Sequence, residues 1–109
     1  TQSPSSAASD VYKRQVYAGA EPGVHRIEII KGQFVPNTLT VRLGDTVEWI
    51  NRDFIPHTAT ANDSQGAVIW DTGNLNKGES MRITFSSVGT QEYICLYHPS
   101  MTAEITIAD

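Results

Sequence analysis

Residues 89–107 read GTQEYICLYHPSMTAEITI, and the fold turns on how that stretch is parsed. Gln91 to Cys95 has the composition of a strand. Thr102 to Ile107 alternates, with Ala103, Ile105 and Ile107 on one face. Alternation of this kind marks half-buried strands. The short link between the two strands carries Cys95, His98 and Met101 at a Cys-x2-His-x2-Met spacing. A strand end followed by a tight loop can turn all three side chains toward one point.

Upstream the pattern continues. Val24 to Ile30 places His25, Ile27 and Ile29 on one face, and Gly32 closes it. Phe34-Val35 leads into the turn pair Pro36-Asn37. Thr38 to Leu43 alternates with Leu39, Val41 and Leu43 inward. Thr46 to Asn51 alternates again with Val47 and Trp49 inward. The Gly44-Asp45 pair between them predicts a hairpin. Arg52 to Gly66 is polar and irregular, Val68 to Trp70 reads as a brief strand, and Ser80 to Phe85 puts Met81, Ile83 and Phe85 on one face. The composition agrees. There are 11 Thr, 10 Ile and 8 Val against 4 Leu, and β-branched side chains suit a pleated surface better than a helix. The expectation is all-β: an antiparallel sandwich or small barrel of about eight short strands.

Length, charge and cysteine count narrow the function. The 109 residues allow one domain. A single Cys makes no internal disulfide and supplies neither a dinuclear copper centre nor an iron–sulfur cluster. No apolar run approaches a membrane span, so no membrane insertion is expected. A net charge of −4 argues against nucleic acid as a partner. Residues 1–20 differ in kind. The stretch SSAASDVYKRQ, residues 5–15, resembles translated adaptor sequence, and Ala18-Gly19-Ala20 has the small-x-small form that precedes a signal-peptidase cut. Residues 1–20 are therefore expected to be a disordered or artefactual tail with a signal-peptide remnant, and 21–109 the folded domain.

The chemistry concentrates in the Cys95–Met101 loop. Cys, His and Met are the soft and borderline ligands that copper prefers, and a mononuclear blue-copper site takes two His, one Cys thiolate and a long axial Met. One more His is needed. His57, in the loop after the Thr46–Asn51 strand, can meet the later cluster where loops converge at one end of a sandwich. The plainer readings are a buried structural Cys, a core Met and a turn His before Pro99. A c-type haem is excluded, because no second Cys stands beside the His. A catalytic Cys–His pair is disfavoured by its spacing and by the lack of an orienting acid.

The run from Gly89 to Ile107 strongly resembles the C-terminal end of the cupredoxins, the type 1 blue-copper family. It is most like the amicyanin, plastocyanin and pseudoazurin branches. Val47 to His57, VEWINRDFIPH, resembles the strand and loop with the first His ligand, and LTVRLGD, residues 39–45, also fits. The resemblance implies a Greek-key antiparallel β-sandwich. It implies one type 1 copper ion held by His57, Cys95, His98 and Met101, with the histidines neutral, Cys95 the thiolate and Met101 axial. The function implied is a small soluble electron carrier cycling between Cu(I) and Cu(II), not an enzyme. Redox partner proteins would dock transiently near His98, on an apolar patch drawn from Pro56, Pro99, Tyr97 and Phe34. A monomer in the periplasm, or otherwise outside the cytoplasm, follows.

Three positions depart from the family pattern. Thr58 stands where Asn is usual after the first His, Leu96 where Ser or Thr often follows the Cys, and Tyr97 where related loops often have Pro. The usual side-chain link across the site is thereby lost, which predicts a shifted potential; a Thr58 N–H bond to the Cys95 sulfur remains available. His25, Asp53, Asp63 and Asp71 read as ordinary solvated residues. The competing functions are a copper-delivery protein on the same fold, a domain cut from a larger copper oxidoreductase, and a metal-free interaction module.

Overall fold

The computed structural model describes residues 23–109; the expected tail, 1–20, lies outside them. Among the described residues there are nine strands and no helix. One sheet runs in the order β2 (Gln33–Val35), β1 (Val24–Ile30), β4 (Thr46–Asn51), β7 (Ser80–Thr84). The other runs β3 (Thr38–Arg42), β9 (His98–Ala108), β8 (Gly89–Cys95), β5 (Thr60–Asn62), β6 (Val68–Asp71).

The inward faces follow from the alternation. Ile27, Ile29, Val47 and Trp49 from one sheet meet Val41, Tyr93, Ile105 and Ile107 from the other, all buried. Trp49 is the centre of the core. Its ring lies 4.9 Å from Trp70, 5.6 Å from Tyr93 and 6.4 Å from Phe85, centroid to centroid. Such aromatic pairs add stabilisation beyond their buried area. Burial pushes the Tyr93 phenol up to about 12, and the nearby Trp49 N–H offsets only part of that. The two polar tips lack bonding geometry and stay without hydrogen-bond partners, a cost the core tolerates.

Several expectations need correction. The sheets are mixed rather than antiparallel throughout: β1 runs parallel to β4, and β3 parallel to β9. The predicted Gly44-Asp45 hairpin is an arch between the sheets. Leu43 N–H donates to Ala108 O of the second sheet, and Gly44 N–H to Phe85 O just past β7 of the first. Gly44 takes a φ of 92°, and Asp45 closes the corner by accepting from Arg42 N–H at 3.1 Å. Alternation sets which face is apolar but not which strand lies alongside, so an arch and a hairpin read alike. Leu43 and Met81, expected inward, are exposed because they lie at the arch and on edge strand β7. The last strand starts at His98, not Thr102. Its register jumps from Ile94↔Thr102 to Cys95↔His98, leaving residues 99–101 as a bulge. Pro99 has no N–H for a ladder, which places it naturally there.

Candidate metal centre

The expected ligands come from two loops at one end of the sandwich. The first follows β4, whose last residue, Asn51, is fully buried. Its Nδ2 donates to Ile55 O at 2.9 Å and Leu75 O at 2.8 Å, and its Oδ1 accepts from Asp53 N–H at 2.9 Å. Those bonds curl residues 52–56 back on the strand end and deliver His57 into the interior. His57 is then clamped by two main-chain bonds with Leu75, of 3.1 and 2.8 Å. It is fully buried.

A buried histidine needs both ring nitrogens accounted for. Nε2 lies 2.9 Å from Asp53 Oδ2. An ionised carboxylate only accepts, so the bond places a proton on Nε2, and in the neutral ring that tautomer leaves Nδ1 its lone pair. Nδ1 faces the Cys95 sulfur at 3.6 Å. Asp53 is itself fixed by Lys31 N–H at 2.6 Å and Gly32 N–H at 2.9 Å. Burial opposes its ionisation, but the N–H groups of Gly32 and Lys31 and the His57 ring outweigh that and hold its carboxyl below the usual range. Asp53 is thus a bridge between loops, not the solvated acid expected. Neither Asp53 nor Asn51 was legible as part of the site, because their partners lie on other loops.

The second loop is the two-residue turn Leu96-Tyr97. Cys95 is fully buried, and the ladder pairs it with His98, so both project from the same side of the sheet. His98 is exposed, with its ring centroid 5.3 Å from that of His57. Met101 is buried on the inner face of β9. Thr58 N–H points at the Cys95 sulfur at 3.4 Å. The expected loss of the link between positions 58 and 96 is corrected here. Thr58 Oγ1 accepts the main-chain N–H of Leu96 at 2.9 Å, so the backbone replaces the missing side-chain hydroxyl. His25, on the far side of the ligand loops, pairs with Asp45 at 2.9 Å.

The donor set fits a soft metal. Metal bonds of about 2.0–2.3 Å each let two atoms 3.6 Å apart share one ion, which is the Nδ1–Sγ separation. Among the described residues no three His, Cys, Asp or Glu side chains are gathered closely enough to hold a metal as they stand. His57 and Cys95 form the preassembled half, and His98 is the outer member on an exposed turn. On the same two loops Ile55, Leu96 and Tyr97 are about half exposed and Phe54 is 87% exposed, with Pro56 and Pro99 also at the surface. Phe34, expected in this patch, is instead buried against Tyr93, with ring centroids 4.8 Å apart. Lys77 Nζ sits 3.4 Å over the Phe54 ring.

A two-sheet β-sandwich with one cysteine sulfur facing a histidine at its loop end is the architecture of the cupredoxin class. Residues 24–108 match the copper binding proteins of the plastocyanin/azurin family, and the chain belongs to that family. It is 31% identical over 94 residues to amicyanin of Paracoccus denitrificans, an alignment that covers 84% of this chain and 72% of that one. A purple cupredoxin from Nitrosopumilus maritimus superposes with a TM-score of 0.69 at 29% identity, covering 77% of this chain and 99% of that one. A copper-containing nitrite reductase from Thermus scotoductus gives a TM-score of 0.74 at 33% identity; the match covers 86% of this chain and 25% of the enzyme.

Proposed function

We propose that this chain carries one electron at a time on a single type 1 copper ion held by His57, Cys95, His98 and Met101. Copper supplies the Cu(I)/Cu(II) couple; the protein supplies a β scaffold that already holds the His57 ring and the Cys95 sulfur 3.6 Å apart. The observation that carries the reading is the Cys95 sulfur. It is buried, faces the free nitrogen of His57 at 3.6 Å and receives the Thr58 N–H at 3.4 Å. An N–H directed at sulfur tunes the potential of a metal bound there.

The protein acts as a carrier and not as an enzyme. Its likeness to nitrite reductase spans a quarter of that chain, and among the described residues only His25 remains for a second copper site. Redox partners dock transiently near the exposed His98, on the exposed apolar side chains of the two ligand loops, Phe54, Ile55, Leu96 and Tyr97; electron-transfer encounters are small and short-lived. The protein works as a monomer in the periplasm or another compartment outside the cytoplasm. No helix of the described residues is long and apolar enough to cross a membrane.

Electrochemistry and kinetics test this. The copper-loaded protein should give a reversible one-electron wave and fast self-exchange between its oxidised and reduced forms. Irreversible reduction, or ready release of Cu(I) to an acceptor apoprotein without fast self-exchange, would favour copper delivery instead.

A further inference from the structure

Tyr97 sits between two expected ligands, in a turn only two residues long. Its side chain is 49% exposed, so packing does not account for its position. The phenol donates to Asn74 Oδ1 at 2.7 Å, and Asn74 Nδ2 in turn donates to Asn76 Oδ1 at 3.1 Å, which orients the amide. Asn74 is the neighbour of Leu75. Leu75 is buried, holds His57 by two main-chain bonds and accepts from the Asn51 side chain. The Asn74-Leu75 dipeptide therefore touches both ligand loops, one through its backbone and one through the Asn74 side chain.

We propose that the Tyr97–Asn74 hydrogen bond is a clasp that holds the Cys95–His98 turn against the His57 loop before any metal binds. Tyr97 and Asn74 are positioning residues for His98. The inference rests on reading this end of the sandwich as the copper centre. The turn has no slack: Cys95 and His98 are ladder partners, so a displacement of Tyr97 displaces His98 directly. The inner side of the turn is tied by Leu96 N–H to Thr58 Oγ1. The outer side has the Tyr97 phenol. Together they restrict the exposed ligand from two directions, which lowers the ordering entropy lost when metal binds.

The Leu96 amide reports on the clasp, because it exchanges with solvent only when its bond to Thr58 opens. Amide hydrogen exchange should be measured on the metal-free protein in wild type, Y97F, N74A, the double variant and N74D, which keeps an acceptor oxygen. Y97F and N74A should each speed Leu96 exchange by roughly two- to tenfold, the range expected for one net hydrogen bond. The double variant should be no faster than the faster single one, because both remove the same bond. N74D should exchange like wild type, and core amides such as that of Trp49 should be unchanged in all. With copper bound, the midpoint potential should shift in Y97F and N74A. Unchanged Leu96 exchange in Y97F, or additive acceleration in the double variant, overturns the clasp. A wild-type protein that takes up no copper with thiolate colour overturns the copper reading instead, and the exchange comparison separates the two failures.

Discussion

Replacing Asp53 with Asn is the most informative perturbation of the loop that carries His57. The aspartate accepts three hydrogen bonds through two oxygens: Lys31 N–H at 2.6 Å, Gly32 N–H at 2.9 Å and His57 Nε2–H at 2.9 Å. Asparagine has one acceptor oxygen. Turned toward Gly32 and His57, it sets its NH2 against the Lys31 N–H and orphans that donor. Turned toward Lys31, it sets the NH2 against Gly32 N–H and His57. The lost charged hydrogen bond costs about 1.5–3 kcal/mol and the orphaned donor adds to it, for a total of roughly 2–4 kcal/mol. At about 4–8 °C per kcal/mol for a domain of this size, Tm should fall by roughly 8–32 °C. The second orientation also favours the proton on Nδ1, where it blocks the lone pair a metal needs. Loss of such an outer partner weakens metal affinity by about 10–100-fold. Chemical denaturation of the metal-free protein and competition with a chelator for copper measure the two effects separately. A D53N protein within about 0.5 kcal/mol of wild-type stability and with undiminished copper affinity would refute the role given to Asp53.

Other outcomes follow from the same geometry. Asn51→Leu keeps the bulk but removes two bonds to the 52–57 turn and a third to Leu75 O; stability should fall by roughly 2–4 kcal/mol, with copper affinity reduced, as read by denaturation and titration. Trp49→Ala empties the middle of the aromatic core and should cost about 3–5 kcal/mol, visible in the denaturation midpoint. The Asp53 carboxyl is held below its ordinary value in the folded protein. Its contribution is therefore fully present above the unfolded pKa of about 3.9 and is lost as pH falls through the lower folded value. Acid titration of stability should show this limb in the wild type, and D53N should flatten it.

The spacing of the candidate ligands is legible because it is local. Cys95, His98 and Met101 lie within one turn and its bulge, and their residue types name the metal chemistry without any knowledge of neighbours. The core was legible for a related reason, since Ile27, Trp49, Val41 and Ile105 declare their faces by alternation. What escaped depends on distant partners. Asp53 looks like any loop acid until Lys31 and Gly32 arrive from another strand end. Asn51 looks like a strand terminus, not the strut that places His57. The Gly44-Asp45 corner has the residues of a hairpin, and only the acceptors at Phe85 and Ala108 make it an arch. Thr58 and Leu96 seemed to have lost their contact because side chains alone were compared; the backbone N–H of Leu96 supplies it.

Titration of the metal-free protein with Cu(II) tests the central claim most directly. One equivalent should bind and produce an intense visible band from Cys95 thiolate-to-copper charge transfer, and Cys95→Ser should abolish the band. Weak, nonstoichiometric binding without colour, or a band that survives Cys95→Ser, would contradict the site.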